Sequence, residues 1–230
     1  MEPHSRNCWP PRRPRLNVAT RIVVMSDTHM LHDRLVVPDG DILVHCGDWS
    51  NEPISSEYDD FFAWFAGQPH QHKVLVAGNH DELMQQFPGM MRKRISPGIV
   101  YLEDSATKIG GLQFFGSPWT PGVSYMAFTY GSKNDGPHVP EWSMIPAFTD
   151  IAITHGPPQG MLDANYAGKH IGDPGLLTRV IAIRPRVHLF GHVHDSNGRV
   201  EKDGIVFVNA AIGNDEEDPN LSDRIHVVDL

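Results

Sequence analysis

Arg21-Ile22-Val23-Val24-Met25-Ser26-Asp27-Thr28-His29 begins as a short apolar, β-branched run and ends in a polar cluster. Such a run reads as a strand covered on both faces. The design recurs: Asp41-Ile42-Leu43-Val44-His45-Cys46 leads into Gly47-Asp48, and Lys73-Val74-Leu75-Val76-Ala77 leads into Gly78-Asn79-His80-Asp81. Between them Tyr58, Phe61, Phe62 and Phe65 fall at i, i+3, i+4 and i+7, the apolar face of a helix whose aromatics belong to the core. Ser56-Glu57-Tyr58-Asp59 opens it with a capping-box pattern. Strand, cluster, helix, strand, cluster is the sequence form of an α/β sheet, where ligands sit beyond the carboxyl ends of the strands.

Two more strands carry clusters. Ile151-Ala152-Ile153-Thr154 precedes His155-Gly156-Pro157-Pro158, and Val187-His188-Leu189-Phe190 precedes Gly191-His192-Val193-His194. Extended backbone in the last cluster turns both imidazoles to one side, and Gly191 removes the Cβ that would obstruct close approach. Ile99–Leu102 and Leu112–Phe115 read as antiparallel strands around the Gly110-Gly111 turn. Asp173-Pro174 reads as N-cap and N1 of a helix carrying Leu176, Leu177, Val180 and Ile181, stopped at Arg184-Pro185. Alternating strands run from Gly198 to Ala211, and Ile225–Val228 is the last strand. Residues 117–148, rich in Pro, Gly and aromatics, read as an ordered lid with a short helix near Glu141–Ile145. Residues 1–20, with four prolines and four arginines, read as a flexible tail, leaving 21–230 as one domain.

The 230 residues are 40% hydrophobic and 20% charged, ordinary for a globular chain with a substantial core. No apolar stretch approaches the roughly 18 residues of a membrane span, and the N-terminus has no secretory h-region. Cys8 and Cys46 read as free thiols in a reducing compartment, which with the missing export signal places the protein in the cytoplasm. A net charge of −9, from 19 basic and 28 acidic residues, argues against an extended nucleic-acid track. It allows a small anionic substrate, because bound cations can invert the local field.

The five clusters supply the carboxylates of Asp27 and Asp48, one amide and several imidazoles as a donor set for a pair of divalent ions, with Asp81 beside them. Mixed oxygen and imidazole donors suit Mn, Fe, Zn, Ni or Mg better than calcium, with Mn the leading candidate. A carboxylate bridging two ions about 3.5–4 Å apart lowers a bound water's pKa toward roughly 7, and the resulting hydroxide can attack phosphorus in line. A nearby imidazolium can protonate the leaving alkoxide. The sequence has neither a phosphate-binding Gly-x-x-x-x-Gly-Lys-Ser/Thr loop nor a Gly-x-Ser-x-Gly elbow.

Asp-x-His, Gly-Asp, Gly-Asn-His-Asp, His and Gly-His-x-His in this order resemble the calcineurin-like metallophosphoesterase superfamily over about residues 21–213. Ser26-Asp27-Thr28-His29, Gly116-Ser117-Pro118-Trp119-Thr120-Pro121 and Thr154-His155-Gly156-Pro157-Pro158 resemble more narrowly the branch of the vertebrate brain metallophosphoesterase-domain proteins and their bacterial relatives. The resemblance implies two packed mixed β-sheets flanked by helices. It also implies a metal-dependent phosphodiesterase acting on small diesters, including cyclic nucleotides. It places Asp27, His29 and His194 on the first metal, Asp48 as the bridge, and Asn79, His155 and His192 on the second. His80 becomes the leaving-group acid or a phosphate contact, with Asp81 orienting it. Some vertebrate members of the branch lose a histidine in the last cluster; this chain keeps both.

Trp119 and His170 are the candidate substrate contacts, the indole as a stacking surface for a nucleobase. His32 and His45 flank the first two clusters, where supporting roles fit; His188 and His226 sit in strand patterns. His4, His70, His72 and His138 read as exposed. Two other functions fit the same residues: a phosphomonoesterase acting on phosphoproteins or nucleotides, and a metal-binding scaffold that holds a partner protein.

Overall fold

Each of the five cluster-bearing runs becomes a central strand in the computed structural model, which describes residues 19–122, 125–131, 141–213 and 215–230. In the first half, β1 (Arg21–Met25), β2 (Ile42–His45) and α1 (Ser55–Gly67) are followed by β3 (His72–Leu75), α2 (Glu82–Gln86), α3 (Pro88–Met91) and β4 (Ile99–Tyr101). Next come β5 (Ser105–Ile109), β6 (Leu112–Ser117), β7 (Thr120–Pro121), β8 (Thr129–Tyr130) and β9 (Ile151–Thr154). The chain ends with α4 (Pro174–Ile183), β10 (Val187–Phe190), β11 (Gly198–Lys202), β12 (Ile205–Asn209) and β13 (His226–Asp229).

Apart from the separate β7–β8 pair, the described strands form two mixed sheets. One has the order β13-β1-β2-β3-β4, parallel except for β13; the other has the order β11-β12-β10-β9-β6-β5, with antiparallel strands at both edges. Because side chains alternate across a strand, each sheet supplies two apolar faces. The inner faces meet through Ile22, Val24, Val44, Val74, Phe114, Ile153, Leu189 and Val208. The outer face of the first sheet packs Val23, Met25, Leu43 and Leu75 against Tyr58, Phe61, Phe62 and Phe65 of α1. The outer face of the second packs Phe190 and Phe207 against Leu176 and Val180 of α4. Helix, sheet, sheet, helix is thus the layer order. Burying Tyr58, Phe61, Phe62 and Phe65, none more than 1% exposed, supplies on the order of 2 kcal/mol apiece.

Several local expectations change. β4 is no partner of β6: it pairs parallel with β3, and the strand that turns through Gly110-Gly111 to meet β6 is β5. Ser105-Ala106-Thr107-Lys108 is polar because β5 is an exposed edge, so it has no apolar run to mark it. Helix α1 starts at Ser55 with Ile54 as N-cap and no side-chain cap. The Glu57 carboxylate accepts instead from Asn51 N (2.8 Å) and Glu52 N (3.1 Å), folding the preceding loop onto the helix. His70 is buried, its Nε2 bonded to the Pro38 carbonyl. At α4 the Asp173 carboxylate caps Leu176 N, and Arg184 ends the helix in the left-handed conformation (φ 51°).

Thr20, at the edge of the expected tail, exchanges backbone hydrogen bonds with Leu230. Residues 1–18 of that tail, including His4 and Cys8, lie outside the described residues, as do His138 and parts of the expected lid. What is described of the lid includes the short parallel pair β7–β8 and a 3-10 turn at Trp142–Met144. Among the described residues, no helix is long and apolar enough to cross a membrane.

Candidate metal centre

The parallel strands of both sheets deliver their polar ends to one place. The Ser26–Ala211 bridge and the bonds from Ile212 N to Ser26 O and Asp27 N to Gly47 O tie the first cluster to both neighbouring chain ends. His155 Nδ1 reaches from the second sheet to the Cys46 carbonyl of the first at 2.9 Å. Three donor groups result, Asp27–His29–His194, Asp48–His155–His192 and His29–Asp48–His80, each with its ligand atoms within 4.8 Å of one another. Asn79 Oδ1 joins the second group, 2.9 Å from His155 Nε2. His29 and Asp48 each belong to two groups, so the set is continuous.

Hydrogen bonds fix which ring nitrogen His29 and His155 offer. Asn51 Nδ2 donates to the His29 carbonyl (3.1 Å), which turns Asn51 Oδ1 toward His29 Nδ1–H at 3.1 Å. His29 Nε2 is left facing His194 Nε2 at 3.4 Å, a pair that a shared proton or an intervening cation satisfies. His155 Nδ1–H is spent on Cys46 O, so its Nε2 lone pair points toward Asn79 Oδ1 and Asp48 Oδ2, the latter at 3.3 Å. A second hydrogen bond that locks the tautomer is the usual support for a metal-bound imidazole.

His192 does not continue the strand. Its φ of 69° is left-handed, so the two histidines of the last cluster diverge, His192 to the Asp48 group and His194 to the Asp27 group. The backbone N–H of His192 grips both oxygens of Asp27, at 2.9 and 3.1 Å. Asp27, His29 and Asp48 also have positive φ (55°, 42° and 58°). Strain at four donor positions is the kind that persists only where the surroundings over-determine it. Two glycines make the approach possible. A Cβ on Gly191 would overlap Ser26 Oγ and Asp27 Oδ2, and one on Gly78 would overlap Asp48 Oδ1.

Burial would push the Asp27 and Asp48 carboxyls up, but the surrounding imidazoles, His194 and His155 foremost, hold both well below the usual carboxylate range. Burial also opposes charge on His155, yet Asp48 beside it raises that imidazole to about 9. Burial lowers His192 to about 4. Two ionised carboxylates sealed among nitrogen donors form a site that draws positive charge, from protons on His155 and His194 or from cations. The donors present therefore fit a divalent pair.

His80 is partly exposed, its ring set edge-on to His29 with centroids 4.8 Å apart, and its backbone N–H donates to Asp48 Oδ1 at 2.8 Å. Asp81 takes a different place from the one expected of it. Its carboxylate is fully buried and accepts from Gly78 N, Asp48 N, Ser50 N and Ser50 Oγ at 2.7–3.2 Å. Burial, then the Asp48 charge, pushes this carboxyl up to about 8 against those donors. Asp81 thus braces the Asp48 and Asn79 loops rather than the His80 ring.

The two substrate candidates differ. Trp119 donates to Asp104 Oδ2 (2.8 Å) and packs edge-on against Phe128, which anchors the loop. His170 pairs through Nδ1 with the buried Asp163 at 2.6 Å while its ring stays 59% exposed. Its loop is stapled to the turn that bears His194 through Ser196 Oγ on Ala164 O and Asn209 Nδ2 on Leu162 O and Val193 O. Asn51 holds His29 and Ser50 holds Asp81; isolated polar residues beside an apolar run carry no spacing signal that marks them in the sequence.

The calcineurin-like phosphoesterase pattern matches residues 20–196. Metallophosphoesterase domain-containing protein 1 of Homo sapiens is 31% identical over 217 residues, covering 84% of this chain and 66% of that protein. The chain thus spans about two thirds of that relative's length. A UPF0046 protein of Caenorhabditis elegans is 33% identical over 205 residues, covering 83% of this chain and 69% of its own. In fold, the chain is similar to protein TT1561 of Thermus thermophilus, with a TM-score of 0.58 at 12% identity over 92% of this chain and 99% of that one.

Proposed function

Because the chain belongs to the calcineurin-like phosphoesterase family, we propose that it hydrolyses phosphoesters with two divalent ions, small phosphodiesters and cyclic nucleotides foremost. The observation that carries this is the continuity of the donor groups through His29 and Asp48. Asp27, His29 and His194 would hold one ion and Asn79, His155 and His192 the other, with Asp48 available to both. Manganese suits this oxygen and imidazole set. Bound ions of this kind supply positive charge to the phosphate oxygens and acidify a water for attack on phosphorus.

The chain's own residues do the rest. Asn51 and the Cys46 carbonyl hold His29 and His155 in the tautomer that offers Nε2 inward. Asp81 keeps the Asp48 and Asn79 loops at a fixed separation through its backbone bonds. His80, partly exposed beside His29, gives a ring proton to the leaving oxygen. His170, its Nδ1 held by Asp163, offers Nε2 to the substrate's periphery. The net charge of −9 favours a small ester over a nucleic-acid strand.

The test is turnover of an aryl phosphodiester and the matching monoester by manganese-loaded protein, followed by 3′,5′- and 2′,3′-cyclic nucleotides. Diester cleavage that a chelator abolishes and manganese restores is expected. Turnover of the monoester alone overturns the diester reading; two bound ions with no turnover of any ester overturn the enzyme reading in favour of a scaffold.

A further inference from the structure

Two buried histidines outside the donor groups occupy matching places in the two sheets. His45 ends β2 and His188 lies within β10, and neither has any exposed surface. His45 Nδ1 accepts from Gly47 N at 3.2 Å, so its proton sits on Nε2 and is donated to Thr28 Oγ1 at 3.0 Å. Thr154 gives its hydroxyl proton to the Gly156 carbonyl at 2.6 Å, so its oxygen accepts from His188 Nε2–H at 2.9 Å.

Each imidazole reaches across one parallel pair, β2 to the end of β1 and β10 to the end of β9. Each threonine adjoins donor residues: Thr28 stands between Asp27 and His29, and Thr154 precedes His155. The rings are themselves held, His45 edge-on to Phe61 and Phe65, His188 against Phe190 and Phe207. A neutral N–H donor in each place orders a loop without setting a positive charge behind the ions.

We propose that His45 and His188 are positioning residues, one per sheet, that pin the loops carrying Asp27–His29 and His155 through the hydroxyls of Thr28 and Thr154. The proposal rests on the two-ion reading above. It explains why the strained Asp27–His29 backbone holds its shape, since a second anchor fixes the residue between the two donors.

Thr28→Val and Thr154→Val remove each hydroxyl while keeping the side-chain shape, and Thr28→Ser and Thr154→Ser restore it. Calorimetric titration of the metal-stripped full chain with Mn²⁺ reads the result, with circular dichroism and thermal melts to check folding. Each valine variant should weaken a different one of two ions by about 10–100-fold and leave the other within about threefold. The double variant should weaken both ions, each to the extent seen in its single variant, and the serine variants should bind as wild type. Valine variants that bind both ions with wild-type affinity overturn the proposal, as does equal weakening of both ions that serine does not rescue. Where a valine variant does not fold, Thr28→Ala or Thr154→Ala, which opens space instead of burying a methyl, carries the same comparison. Wild-type protein that takes up fewer than two ions overturns the two-ion reading itself, a result distinct from wild type binding two ions and the variants matching it.

Discussion

Gly191→Ala isolates the close approach on which the centre depends. Gly191 is not among the positive-φ glycines, so alanine adopts its backbone conformation freely and contact alone sets the effect. The new methyl would overlap Ser26 Oγ and Asp27 Oδ2 and lie 2.6 Å from Ser26 Cβ. None of these atoms can swing aside easily. Ser26 and Asp27 are fully buried, Asp27 N is bonded to Gly47 O at 2.8 Å, and the Asp27 carboxylate is gripped by His192 N. Overpacking of this kind costs about 1–3 kcal/mol, and the short, doubly anchored neighbours place this case near the upper end. For a chain of this size that lowers Tm by about 6–12 °C. Displacing the carboxylate should also weaken ion binding roughly tenfold or more. Differential scanning calorimetry and a Mn²⁺ titration read the two effects. Gly89→Ala is the control, since its Cβ would meet nothing within 4 Å. A Gly191→Ala protein that melts within about 1 °C of wild type and binds Mn²⁺ equally well would refute the reasoning.

Asp48→Asn should lose bound metal together with activity, because it removes the carboxylate between the donor groups; elemental analysis after desalting checks it, and retention of two ions counts against the bridging role. His80→Ala should keep both ions and slow diester turnover about 10²–10⁴-fold, the range for general acid catalysis; a variant that loses metal would make His80 a ligand. Burial lowers His188 to about 3 from 6.5, so the unfolded chain takes up a proton that the native state refuses. This contribution to stability is present above about pH 6.5 and is lost as pH falls, by about 2 kcal/mol between 6.5 and 5. Urea midpoints at pH 7 and 5 should therefore differ more for wild type than for His188→Asn, and equal losses in both proteins would contradict it.

The central strands were legible because each is a buried apolar run that stops abruptly at a donor cluster, as at Met25-Ser26-Asp27. The edge strand β5 was not, since Ser105–Lys108 faces solvent and looks like a loop, which left β4 to be matched with β6 in its place. Ser56–Asp59 matches a capping box, but the N-cap lies two residues earlier, at Ile54, and Glu57 has other work in the Asn51 loop. The donors were legible by type and order; their backbone was not. Extended geometry at His192 is the natural reading of a strand that continues, and only the grip of its N–H on Asp27 reveals the left-handed turn. Asp81 illustrates a different limit: a carboxylate beside a catalytic-looking histidine invites pairing, whereas loop ends packed this closely need an acceptor for their N–H groups.

The left-handed backbone at Asp27, His29, Asp48 and His192 bears on how such a centre decays. Glycine adopts that conformation without a Cβ clash, so His29→Gly or His192→Gly would relieve local backbone strain while removing a donor, whereas glycine at Asp27 or Asp48 would strand the N–H of His192 or His80. Losing a donor therefore costs the fold less at the two histidines than at the two carboxylates.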